Sequence, residues 1–130
     1  MARAKSDQLT PLELKIMQVL WETGAANVQA VQRELTRELA YTTVQTMLNI
    51  LHEKGKVKRK LKDRAYYYSA AISRRQVIRS TIGDIVDRMF GGSVESLVMS
   101  LIETRHLTPK KLRKLKELLD QSEEDGDGND

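Results

Sequence analysis

At 130 residues, 31% of them charged and 40% hydrophobic, the chain is long enough for one domain of ordinary size, or a small domain with an appended helical piece, and too short for a large catalytic domain. It has no cysteine, which excludes disulfides, thiolate metal sites and cysteine nucleophiles, and no apolar run near the ~18 residues of a membrane span, so no membrane insertion and a cytoplasmic location are expected. The net charge of +4 hides an asymmetry: residues 1–75 carry 14 Lys and Arg against 7 Asp and Glu, residues 76–130 carry 8 against 11, so polyanion-binding character belongs to the first half.

In chain order, Thr10-Pro11 supplies a capping hydroxyl and an N1 proline ahead of Leu12, Ile16, Val19 and Leu20 at helical spacing, predicting a helix over about residues 11–22. Thr23-Gly24 stops it. Asn27 caps a second helix carrying Val28, Val31 and Leu35, expected to end near Glu38. A third puts Val44, Met47, Leu48 and Leu51 on one face and ends at Gly55. The period then changes. Val57, Arg59 and Leu61 alternate with Lys58, Lys60 and Lys62, and a turn at Lys62-Asp63-Arg64 leads into Ala65-Tyr66-Tyr67-Tyr68-Ser69, predicting a β-hairpin whose tyrosines pack on helices one and three. From Ser73 a long fourth helix carries Ile78, Ile82, Ile85, Val86 and Met89 up to the Gly91-Gly92 break. Ser93 caps a fifth helix with Val94, Leu97, Val98, Leu101 and Ile102 on one stripe, and Thr108-Pro109 opens a sixth with Leu112, Leu115, Leu118 and Leu119.

Three short helices followed by a basic ribbon describe a winged helix-turn-helix, so the fold class is mostly α with a small β-hairpin, plus a C-terminal helical region. The expected division is 1–72 winged-helix domain, 73–122 helical dimerisation region and 123–130 acidic, disordered tail. An α-helix fits the major groove, and Thr42, Thr43, Gln45, Thr46 and Asn49 give the third helix an outer face of hydroxyls and amides able to reach base edges or phosphates. On the ribbon, Lys56, Lys58, Arg59, Lys60, Lys62 and Arg64 place six cations in nine residues, for which phosphate is the natural counter-charge. Solvated polar faces and a lysine-protected sheet edge are the bland readings of the same residues. Double-stranded DNA is the expected partner, with an acidic protein surface, read by a winged-helix interaction module, as the alternative.

The last three helices carry apolar stripes on too few residues to stabilise a core alone, so burial against a second copy is expected, through Ile82, Ile85, Val86, Met89, Val94, Leu97, Val98, Leu101 and Leu115. His52 and His106 lie far apart in sequence with no carboxylate pair or cysteine beside them, and no phosphate loop, nucleophile elbow or metalloprotease helix occurs, so no metal, no cofactor and no enzymatic activity are expected.

Taken together, Leu9-Thr10-Pro11-Leu12-Glu13, Trp21, the run from Tyr41 to Leu51, Lys54-Gly55, Tyr66-Tyr67-Tyr68 and the run from Gly91 to Val98 resemble the penicillinase-repressor family of BlaI, MecI and CopY type over roughly residues 9–120. The resemblance implies a homodimeric transcriptional repressor on a pseudo-palindromic operator with TACA- and TGTA-like half-sites. It places Thr42, Thr43 and Thr46 on DNA-contacting positions. Ile50 stands where the family often carries arginine, and isoleucine donates to neither base nor phosphate. The resemblance further implies a membrane metallopeptidase of the antibiotic-sensor type as partner, with cleavage between Ser100 and Leu101; antibiotic-responsive members carry Asn-Phe at that bond. Copper-responsive members carry a C-terminal cysteine cluster, whereas this chain has an acidic tail.

Overall fold

A computed structural model describes residues 8–35 and 39–125, with the backbone alone at 124 and 125. The first helix, α1 (Pro11–Thr23), starts in a reciprocal capping box. The Glu13 N–H donates to Thr10 Oγ1 at 3.1 Å, the Thr10 N–H donates to Glu13 Oε1 at 2.8 Å, and Pro11 occupies the first turn, where no N–H is needed. Helix α2 (Val28–Glu34) is capped by Asn27 Oδ1, which accepts the Ala30 N–H at 2.9 Å. It ends earlier than the expected Glu38, itself outside the described residues. Leu35 turns to an extended conformation that lets its side chain pack on the core, and Gln32 Nε2 donates to the Leu39 carbonyl at 2.8 Å.

Helix α3 (Tyr41–Glu53) buries Val44, Leu48 and Leu51 at the spacing of one face. Gly55, at φ +77°, supplies the left-handed exit into the hairpin. Strands β1 (Val57–Lys62) and β2 (Ala65–Ala70) pair antiparallel with Arg59 opposite Tyr68 and Lys62 opposite Ala65. Asp63 and Arg64 form the two-residue turn, both at positive φ, as a type I′ turn requires. A bridge from Ala26 to Tyr68, closed by N–H to carbonyl bonds of 2.9 and 2.8 Å, stitches the ribbon to the entry of α2.

Ile16, Met17 and Leu20 from α1, Val28 and Val31 from α2, the three apolar residues of α3, and Ala26, Val57 and Tyr68 make one buried cluster. Trp21 borders it and donates its indole N–H to the Ile72 carbonyl at 3.0 Å. Among the described residues, one charged side chain lies inside. Glu13 is buried, and its Oε2 receives Lys54 Nζ at 2.9 Å, tying the start of α1 to the end of α3. Burial pushes the carboxyl's pKa up, but the Thr10 backbone N–H and the Lys54 ammonium outweigh it and hold the group below its ordinary value. Removing the cation leaves a buried carboxylate with less compensation, so Lys54→Met is expected to cost about 1.5–3 kcal/mol in urea unfolding at neutral pH. Because the folded pKa lies below the unfolded value of about 4.3, the stability Glu13 contributes is present above that pH and lost as pH falls through the lowered value. The stability gap between wild type and Glu13→Gln should therefore shrink below about pH 4.

Two compact units divide the chain, Met1–Thr81 and Ile82–Asp130, and the division falls inside helix α4 (Arg74–Met89) rather than at residue 72. The first turns of α4 group with the winged-helix elements, with Val77 half-buried among them. Ser73 and Gln76 open α4 with a second reciprocal capping box, at 2.8 and 3.0 Å. In the second unit, Ser93 caps α5 (Val94–Glu103) and Thr108 caps α6 (Pro109–Asp125). Helix α6 runs through Glu123 to Asp125, past the start expected for the acidic tail, because nothing between Leu119 and Gly126 breaks a helix. Residues 126–130 lie outside the described residues.

Candidate nucleic-acid interface

The polar face of α3 follows from its periodicity. With Val44, Leu48 and Leu51 turned to the core, Thr42, Thr43, Gln45 and Thr46 are exposed. Ala40, at the N-cap, makes no side-chain hydrogen bond, in contrast to the capped starts of α1, α2, α4, α5 and α6. The backbone N–H groups of Tyr41 and Thr42 are thus left to solvent or an anion, while that of Thr43 already donates to the Ala40 carbonyl at 3.0 Å.

Asn49 is positioned differently from these four. It is half-buried, and its Oδ1 accepts the Tyr68 hydroxyl at 3.1 Å, with an Arg59 guanidinium nitrogen at 3.4 Å. Tyr41, Gln45 and Asn49, spaced i, i+4, i+8, form the edge of α3 that faces the hairpin, while Thr42 and Thr46 lie further round towards solvent. An amide whose oxygen already accepts from the wing cannot also grip adenine through both its atoms. Asn49 therefore fixes the ribbon against the helix and has only its NH2 left for a ligand. Helical spacing places Asn49 on the polar face, but its pairing with a tyrosine 19 residues away carries no local signal.

The four cations on the ribbon's strands divide between its two faces. Cross-strand register puts Arg59 on the face of Tyr66 and Tyr68, and Lys58, Lys60 and Lys62 on the other, opposite Ser69, Tyr67 and Ala65. Lys58, Arg59, Lys60, Lys62 and the turn residue Arg64 are exposed; Lys56, ahead of β1, is half-buried. The guanidinium of Arg59 stacks 4.3 Å above the centre of the Tyr66 ring, and Tyr66 and Tyr68 pack tilted with ring centres 6.3 Å apart. The expectation that all three tyrosines pack inward holds for Tyr68, which is buried. It fails for Tyr66, 42% exposed, because the hairpin projects beyond the helices it would need; Leu61, its cross-strand neighbour, is 62% exposed for the same reason. Between the first residues of α2, the Tyr41–Gln45 edge of α3 and the start of β2 lies an open cleft of about 260 Å³.

In the second unit, the stripes of α4 to α6 are open in the single chain. Among its described residues no apolar side chain is buried: Ile82, Ile85, Met89, Val94, Leu101 and Leu115 are exposed, and Val86, Leu97 and Val98 half-buried. Ser100 is half-buried within α5, beside Leu101. His106 Nδ1 lies 2.8 Å from Thr104 Oγ1, and no group of three His, Asp or Glu among the described residues could hold a metal ion. No helix there is long and apolar enough to cross a membrane.

The family model described as Penicillinase repressor matches residues 9–121. The chain is similar to the penicillinase repressor of Bacillus licheniformis, 26% identical over 119 residues that cover 90% of this chain and 93% of that protein. It is also similar to the transcriptional regulator BlaI of Mycobacterium tuberculosis, 32% identical over 104 residues, 77% of this chain and 75% of that one. Among solved structures, the YusO protein of Bacillus subtilis shares the fold, with a TM-score of 0.53 at 15% identity over 92% of this chain and 78% of that chain.

Proposed function

Because this chain belongs to the penicillinase-repressor family of DNA-binding transcriptional repressors, we propose that it represses as a homodimer on a pseudo-palindromic operator, with α3 of each copy in the major groove and the basic ribbon along the adjoining backbone. The observation that carries this reading is the joining of the two surfaces. The hydroxyl-rich face of α3 and the cationic ribbon are locked edge to edge through Asn49, Tyr68 and Arg59, so groove-reading and phosphate-neutralising groups arrive as one rigid piece. Thr42, Thr43, Gln45 and Thr46 face bases or phosphates, and Lys56, Lys58, Lys60 and Lys62 neutralise the backbone. The exposed stripes of α4 to α6 support pairing with a second copy, which would set two recognition helices a helical turn or more apart. No catalytic step enters this reading, and the place of action is the cytoplasm, where the DNA is. Cleavage between Ser100 and Leu101 by a membrane metallopeptidase is a finer proposal resting on the resemblance. The Ser100 carbonyl accepts the Thr104 N–H at 3.0 Å, so α5 must open before that bond can be cut.

A gel-shift salt titration on the DNA upstream of its own gene, beside a random duplex of equal length, tests the reading. Each neutralised phosphate contributes about −0.9 to the slope of log K against log salt, so engagement of these four lysines predicts roughly −3.6 or steeper for each copy bound, with preference for the upstream duplex. A shallow slope with no preference between duplexes would overturn it in favour of an acidic protein partner.

A further inference from the structure

The turn at the tip of the ribbon is built against its own backbone preference. Its second central residue, Arg64, sits at φ +68°, where a type I′ turn strongly favours glycine and where a long, β-carbon-bearing side chain is strained. Residues held in such sparsely populated backbone regions cluster at functional sites. Arg64 lines the cleft between the ribbon, α2 and α3, together with Asn27, Gln29, Tyr41, Gln45 and Tyr66. Among the described residues, none that lines the cleft is acidic. Asn27 has its Oδ1 committed to the α2 cap, leaving its NH2 to donate. The cleft therefore offers a guanidinium, amide NH2 groups and phenolic hydroxyls, a set that suits a phosphate oxygen cluster.

Its position says whose phosphate. The cleft lies along the seam between the edge of α3 that carries Tyr41 and Gln45 and the ribbon. In a duplex, a single sugar-phosphate strand separates the major groove from the minor groove beside it. A protein with a helix in the first and a ribbon at the second must straddle that strand along such a seam.

We propose that this cleft is a seat for one backbone phosphate of the operator in each half-site, gripped by Arg64, and that the strain at Arg64 is retained to keep the guanidinium there. The seat fixes the register of α3 on the duplex and reads no base. The proposal rests on the DNA-binding reading above.

Arg64→Gly tests it, because glycine relaxes the turn and removes the cation in one change. The variant should melt at a higher temperature than wild type, yet bind the upstream duplex more weakly, with a salt slope shallower by about 0.9 per copy bound. In a scan of duplexes carrying one neutral methylphosphonate each, one position per half-site should weaken wild type and have no effect on Arg64→Gly. An unchanged salt slope, or a methylphosphonate profile identical to wild type's, would show that Arg64 holds no phosphate and overturn the proposal. A lower melting temperature would show that the arginine serves the turn itself, overturning it too. Failure of wild type to bind the upstream duplex at all would sink the DNA reading and this seat together, an outcome distinct from a wild type that binds and a variant that matches it.

Discussion

Thr46→Glu is expected to weaken operator binding by about 100-fold or more while leaving folding stability within about 0.5 kcal/mol of wild type. Thr46 is exposed on the outer face of α3, and among the described residues its hydroxyl has no hydrogen-bond partner, so the fold loses nothing when it is replaced. In the groove the same change removes a short donor and acceptor and brings in a carboxylate between two rows of phosphates. A lost base contact is worth about 1–3 kcal/mol, and like-charge repulsion adds to it. Thr46→Ser keeps the hydroxyl and should keep most of the affinity. The measurements are a gel shift on the upstream DNA and a thermal melt by circular dichroism. Unchanged binding would mean that α3 does not enter the groove; loss of helicity would mean that Thr46 does not face outward.

Leu97→Asp and Leu101→Asp are each expected to convert the protein to a monomer in sedimentation velocity and to weaken operator binding by about 10²–10⁴-fold, the advantage that two linked half-site contacts confer. In the single chain Leu97 is half-buried and Leu101 is 37% exposed, so a carboxylate at either position remains hydrated in the monomer. Against a second copy it would be stripped of water without a partner, which is costly. The mutants should retain their helicity and still bind a single half-site at low salt. A mutant that stays dimeric would place the interface away from α5.

Much of this architecture was legible because its signals are local. Thr10-Pro11, Asn27 and Ser93 announce their helices through capping chemistry, the apolar positions of α3 repeat at 3.6, and the switch to alternation after Gly55 marks the ribbon. What escaped depends on contacts between distant residues. The end of α2 is set by Leu35 reaching the core and by Gln32 reaching the Leu39 carbonyl, neither of which is a helix-stop signal. Asn49 and Thr46 are both polar residues on the outer face of one helix, and only the packing of Tyr68 separates the wing-facing amide from the outward hydroxyl. The division of the ribbon's cations between two faces follows from strand register, so a count of six hides it. Glu13 was recoverable: Thr10-x-x-Glu13 is a capping-box pattern, and a carboxylate on the apolar side of a helix asks for the cation that Lys54 provides.

The bond from the Trp21 indole to the Ile72 carbonyl has a practical consequence. Trp21 is the chain's single tryptophan, and it borders the winged-helix core. Intrinsic fluorescence therefore reports on the first unit alone, whereas far-ultraviolet circular dichroism also counts the helices of the second. A denaturant titration followed by both signals separates the two units without any label. Coincident curves would mean that they unfold as one cooperative body, and a fluorescence transition displaced from the dichroism transition would mean that the reading head can stay folded after the helical unit has melted.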